Sequence, residues 1–236
     1  MQLKSYWNDI DDRLQVLIKE DCVKLPSIRE LDLQTYYTNI TKDMGESTFV
    51  ELVDSHKSLL EELGIEKYLT PKLLNIAQEI YGYEGKLSNQ YHVARKVEPG
   101  NSKEMYRAHF DSHLFTVVLP INIPDTLGNS GTVGDLIYYP RLRTMPKNEV
   151  FNFFGKAYYK QFASKSGLDK LSKHKLPCFD NFQDYRPLLF VGNTTLHTNK
   201  PVSPNCSSSR LTCLSHFFDT SPKYGVGNIL RYIRNR

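Results

Sequence analysis

Residues 106–119 read YRAHFDSHLFTVVL, and this stretch decides the fold. Its second half, Leu114-Phe115-Thr116-Val117-Val118-Leu119, is built from the β-branched and aromatic residues that favour strands. Along an extended chain the side chains alternate between two faces, so His109 and Asp111 point the same way. An imidazole and a carboxylate so placed can take two adjacent positions on one metal ion.

Working outward, the surrounding sequence repeats the strand texture. Residues 91–97 alternate and stop at Pro99-Gly100, residues 105–123 end at Pro124, and residues 134–140 form a short apolar run bounded by Gly134 and Pro140. Residues 188–191, 194–198 and 210–218 predict three more strands, and residues 146–163 predict a helix that interrupts the series. The first third reads differently. Trp7, Ile10, Leu14, Leu17 and Ile18 recur at helical spacing over residues 5–20. Thr48 with Glu51 fits a capping box opening a helix that Gly64 stops, and Thr70-Pro71 opens another that ends at Gly82. Helices followed by many short strands predict an antiparallel barrel or jelly roll backed by N-terminal helices.

Length and composition fit that reading. The chain of 236 residues corresponds to a single domain, with residues 1–90 as helical support, 91–219 as the β core with a helical insertion about 146–165, and 220–236 as a tail. Hydrophobic residues make up 40% and charged residues 24%, which argues against disorder. A net charge of +4 is too mild to require nucleic acid as partner. Residues 1–20 carry four acidic side chains and do not read as a signal peptide, and no apolar run is long enough to span a bilayer. Cys22, Cys178, Cys206 and Cys213 are scattered without C-x-x-C spacing, as expected of reduced thiols in a cytoplasmic protein.

The chemistry gathers around the opening stretch. His197, 88 residues beyond His109 in another strand, would complete a face of two imidazoles and one carboxylate and leave the opposite positions open. That is the facial triad of non-haem iron(II) oxygenases. Arg210 follows His197 by 13 residues and shares a strand face with Thr212. A guanidinium fork beside a hydroxyl suits two-pronged capture of a carboxylate on a dicarboxylate cosubstrate.

His109-x-Asp111, His197 and Arg210-x-Thr212, in this order on strands, resemble the iron(II)/2-oxoglutarate-dependent oxygenases. The phytanoyl-CoA-dioxygenase-like branch is the nearest in flavour, through Arg95-x-Val97-x-Pro99-Gly100, Gly134-Asp135-Leu136 and residues 189–197. The resemblance covers roughly residues 91–219. It implies a double-stranded β-helix (a cupin-like jelly roll), iron(II) held by His109, Asp111 and His197, and 2-oxoglutarate gripped by Arg210 and Thr212. It also implies consumption of O2, release of succinate and CO2, and hydroxylation of a small-molecule metabolite. The gap of 13 residues before Arg210 exceeds the family's usual ten or eleven, and residues 203–209 read as a longer hairpin loop. A carboxylate at Asp111 sets the chain apart from the family's halogenases, which carry a small residue there. His216 stands where the family's nucleic-acid demethylases carry a second arginine.

Plainer readings stand beside these. His109 and Asp111 also fit a hydrogen-bonded core pair, and His113 is either a rival ligand or a support for Asp111. Tyr91, Arg95 and Thr116 are weaker candidates for cosubstrate or substrate contact. The aromatic run Phe151, Phe153, Phe154, Tyr158 and Tyr159 fits core or a subunit interface, and Arg231, Arg234 and Arg236 a solvated end. The alternative function is a metal-binding cupin-type isomerase or ligand-binding module, which has no use for Arg210-x-Thr212.

Overall fold

The computed structural model describes residues 3–51, 53–88, 90–101, 105–126, 131–146 and 149–220. The tail arginines Arg231, Arg234 and Arg236 lie outside these residues. Two antiparallel sheets form the centre. The larger is ordered β1 (Cys22–Lys24), β7 (Leu188–Val191), β4 (His113–Asn122), β9 (Arg210–Asp219), β3 (Gln90–Val97) and β2 (Phe49–Glu51). The smaller is ordered β6 (Cys178–Asp180), β5 (Leu136–Tyr139) and β8 (Leu196–Asn199), and a single bridge between His109 and His197 adds the segment around residue 109 to its β8 edge.

Strand alternation divides the apolar residues into layers. Phe115, Val117, Leu119 and Ile121 of β4, with Leu211, Cys213 and Phe217 of β9, face the N-terminal helices α2 (Ile10–Glu20), α3 (Leu33–Met44), α4 (Asp54–Leu63) and α5 (Thr70–Tyr81). Their neighbours Val118 and Leu214 turn the other way, to meet Leu136, Phe182, Phe190 and Val202 between the two sheets. A third cluster, with Ile137, Tyr139 and Leu196, covers the outside of the small sheet with α7 (Lys165–Ser172). This is a jelly roll braced on its larger sheet by helices. Among the described residues no helix is long and apolar enough to cross a membrane.

Most expected elements are present, with instructive differences. The helix expected over 5–20 is split into α1 (Leu3–Tyr6) and α2, and Trp7 at the break donates its indole N–H to the Leu63 carbonyl at 2.9 Å. Thr48 does not cap a helix. Phe49–Glu51 pairs instead with β3, Phe49 opposite Arg95, and α4 begins at Asp54. An aromatic and a β-branched residue beside an open sheet edge gain more as a strand than as a first helical turn. The strand expected over 105–123 forms only from His113 onward, and His109 and Asp111 lie in an extended lead-in paired at one residue. The aromatic run is not core: Phe151, Phe153, Phe154 and Tyr158 of α6 (Glu149–Tyr159) are exposed, and only Tyr159 packs inward.

His56 of α4 is wholly buried, and no hydrogen bond reaches either ring nitrogen. Burial, and then the neighbouring His92, push it down to about 3, so the folded state holds it neutral. The unfolded chain takes up that proton below about pH 6.5, so stability falls as pH drops through the window from 6.5 towards 3. The loss is about 2 kcal/mol by pH 5. His56→Leu should flatten the pH dependence of the urea midpoint between pH 7 and 5 by that amount; an unchanged dependence would contradict it.

Candidate functional site

His109, Asp111 and His197 come together although 88 residues separate the two imidazoles. Reciprocal backbone hydrogen bonds of 3.1 Å between His109 and His197 set the two rings side by side, with centroids 4.4 Å apart. One donor atom from each of the three residues lies within 4.8 Å of the others. Both histidine Nε2 atoms are 3.6 Å from Asp111 Oδ1. The far ring nitrogens are committed elsewhere: His109 Nδ1–H donates to the Arg107 carbonyl at 2.9 Å, and His197 Nδ1–H to the Thr195 carbonyl at 3.2 Å. This fixes the tautomers, so both Nε2 lone pairs face the same point as Asp111 Oδ1.

The other carboxylate oxygen is supported from beneath. Thr116 Oγ1 donates to Asp111 Oδ2 at 2.6 Å and receives His216 Nδ1–H at 2.9 Å. Thr116 and His216 are cross-strand partners of β4 and β9, so sheet register places this relay. Burial by itself would raise the Asp111 carboxyl, but His197, His216 and His109 outweigh it and hold the group well below the usual range. Burial pushes His197 down to about 4, against the attraction of Asp111, which leaves a neutral imidazole suited to ligation. Gly192 makes the packing possible: a Cβ there would meet Asp111 Cβ and the His113 carbonyl oxygen, each at 2.8 Å.

Arg210 opens β9 with Thr212 on the same face, opposite Val97 and Arg95 of β3. The guanidinium is buried, at 2% exposure. Burial, and then the charge of Arg95, bring it down to about 10. Asp135 and Asp180 act on it from a distance, yet each is engaged by another cation, Asp135 by Lys200 at 3.0 Å and Asp180 by Lys24. No carboxylate among the described residues lies within ion-pairing distance of Arg210. Gly134, at φ +85°, gives its side chain room, because a Cβ there would stand 2.8 Å from Arg210 Cδ.

His109, Asp111, His197, Arg210 and Thr212 all line one cavity of about 1100 Å³, together with Arg95. The structure leaves His113 outside the cluster, its ring beside those of Tyr91 and His216 at 6.1 and 5.3 Å. Tyr91 lies away from the cavity and donates to Glu51 at 3.0 Å. Sequence reasoning passed over Gly192, His216 as a member of the relay, and the cavity residues Arg107, Lys156 and Lys160. Gly192 and His216 were in view but carry no local signal, since their work depends on contacts from other strands.

No protein-family model and no curated protein matches the sequence. Solved structures do match the fold. A prolyl 4-hydroxylase from Phytophthora capsici superposes with a TM-score of 0.57 at 13% identity, over 95% of this chain and 68% of that one. EctD from S. alaskensis, solved with 2-oxoglutarate and 5-hydroxyectoine, gives 0.52 at 11% identity over 87% and 75%. The non-heme alpha ketoglutarate dependent carbocyclase SnoK from nogalamycin biosynthesis gives 0.51 at 12% identity over 88% and 83%. The fold of this chain is the jelly roll of the 2-oxoglutarate-dependent oxygenases.

Proposed function

We propose that this protein is a non-haem iron(II)- and 2-oxoglutarate-dependent oxygenase that hydroxylates a small molecule in the cytoplasm. The observation that carries this reading is Arg210: a buried guanidinium with no carboxylate among the described residues at ion-pairing distance, in the same cavity as two imidazoles and a carboxylate. A buried charge requires compensation, and the distal carboxylate of 2-oxoglutarate supplies it. A cupin-type isomerase needs the metal cluster but leaves Arg210 uncompensated.

The residues fit the group they would hold. Two imidazoles, each with its Nδ1–H committed to a backbone carbonyl, and one ionised carboxylate form a nitrogen-and-oxygen donor set that would suit iron(II). Iron(II) supplies oxygen activation there, with the overall balance 2-oxoglutarate + O2 + R–H giving succinate + CO2 + R–OH. Arg210 and Thr212 orient the cosubstrate, and the Thr116–His216 relay keeps Asp111 Oδ1 turned towards the histidines.

Anaerobic titration of 2-oxoglutarate into protein loaded with iron(II) tests this. A metal-to-ligand charge-transfer band should appear, and oxygen should then be consumed with release of succinate. Iron binding with neither band nor succinate would return the cupin alternative. Thr116→Val should weaken iron binding about tenfold, the low end for loss of a hydrogen bond supporting a ligand. Equal affinity in a metal-competition assay would remove the relay from the site.

A further inference from the structure

We propose that the outer faces of α6 and α7 dock this protein on an anionic lipid membrane. Packing sets the two helices side by side. Tyr159 at the end of α6 and Phe162 in the turn after it rest on the same cluster, outside the small sheet, as Leu168 and Leu171 of α7. The first turn of α7 abuts that connecting turn, because a Cβ on Gly167 would stand 2.6 Å from the Gln161 carbonyl oxygen. The faces that both helices turn away from the cluster therefore look to one side of the molecule.

The exposed residues of this region are of two kinds. Phe151, Phe154 and Tyr158 recur at i, i+3 and i+7 along α6 and so form a stripe, and they are 63%, 64% and 61% exposed. Leu176, shortly after α7, is 84% exposed. Apolar side chains bared together in this way mark interaction surfaces. The other kind is lysine. Lys160, Lys165, Lys170, Lys173 and Lys175 are all exposed, against Asp169 as the one carboxylate of residues 151–176. That surplus is as large as the net charge of the entire chain, +4, so the excess is gathered here rather than spread. Lys170 and Lys173 share the face of α7 opposite Leu168 and Leu171.

Aromatic rings among lysines suit a helix lying in a membrane interface. The rings enter the boundary between headgroups and acyl chains, and the ammonium groups meet the negative charge of the lipids. A nucleic acid fits less well. The Phe153 and Phe154 rings meet edge to face, at 5.8 Å and 76°, rather than standing apart to take a base between them, and Leu176 offers no plane for stacking. A second copy of the chain would set one positive face against another. Docking also has a consequence for the site. Phe153, beside the stripe, lines the cavity, so a bilayer seated on Phe154 would lie at the cavity rim.

Co-sedimentation of the full chain with vesicles tests the proposal, one set of phosphatidylcholine alone and one with about a third phosphatidylserine. The protein should bind the anionic vesicles well above the neutral ones, and less as salt rises. Lys170→Gln and Lys173→Gln should each lower the partition coefficient about fivefold, and Phe154→Ser about tenfold. All three positions are exposed and none lines the cavity, so fold and iron content should stay at wild type. Phe154→Trp supplies a reporter, since the native Trp7 is buried, and its emission should shift to the blue with anionic vesicles only. Equal binding to both vesicle sets, binding to neither, or indifference to all three substitutions would overturn the proposal. So would a single-stranded DNA oligonucleotide held more tightly than the vesicles through the same residues, or a dimer in vesicle-free solution that Phe154→Ser dissociates.

Discussion

Asp111→Ala is expected to abolish iron(II) binding and 2-oxoglutarate turnover while the fold survives. The substitution removes the single carboxylate of the cluster, which among the described residues is also the single carboxylate lining the cavity. Two neutral imidazoles remain, and loss of a direct ligand should cost more than the ~10–100-fold typical of a supporting hydrogen bond. The fold should hold because the three clustered side chains contribute little to the apolar layers between and behind the sheets. Metal content by atomic absorption and a thermal melt check both halves, and wild-type metal content would refute the assignment. Asp111→Glu is the finer probe. It keeps the charge but pushes the carboxylate one methylene further towards the two histidine rings, whose Nε2 atoms already stand 3.6 Å from Asp111 Oδ1. Metal should still bind, with turnover severely reduced. Activity equal to wild type would mean that Asp111 is not a ligand, and His113 would be re-examined as the neighbour of His109.

The second large effect is expected at Arg210. Arg210→Lys keeps a positive charge but loses the planar fork, and an ammonium cannot match both oxygens of a carboxylate. A charged hydrogen bond is worth about 1.5–3 kcal/mol, so the affinity for 2-oxoglutarate should fall roughly ten- to hundredfold. Iron affinity measured without 2-oxoglutarate should hardly change, because Arg210 is not among the clustered donors. The charge-transfer titration reads the first quantity and metal competition the second. Gly134→Ala offers an independent route to the same defect, since its methyl group would displace the Arg210 side chain without altering its charge. If both variants keep the wild-type midpoint, another cation holds the cosubstrate, with Arg95 and Arg107 the first to test.

The sequence made the strands legible where side chains alternate cleanly. Leu188–Val191 stands as expected, and β9 alternates Arg210 and Thr212 towards the cavity with Leu211 and Cys213 towards the helices. The longer gap before Arg210 did not displace it from the cavity it was expected to line. Short or weakly patterned elements were harder to read. Helix α3 escaped notice because its sequence, LQTYYTNITKDM, is polar and rich in β-branched residues and buries only Ile40 and Met44. Its one local signal, the Asp32 side chain accepting from the Thr35 amide, was present but isolated. At Thr48, a true local motif lost to pairing with β3, a contact between residues far apart in the chain. The site followed the same division. The donors were visible as a pattern of residue types, whereas the glycine that admits Asp111 and the hydroxyl that steadies it act through space.

The three clustered side chains are unequally sheltered. Those of Asp111 and His197 are 9% and 10% exposed, whereas His109 is 54% exposed and its ring is held by one hydrogen bond to the Arg107 carbonyl. An ion bound among them would therefore arrive and escape on the His109 side, by rotation of a single ring. Exchange kinetics should then follow the freedom of that ring rather than the strength of the buried pair. A chelator would find its opening there, and a guest that covered His109 would slow loss of the ion without adding a bond to it.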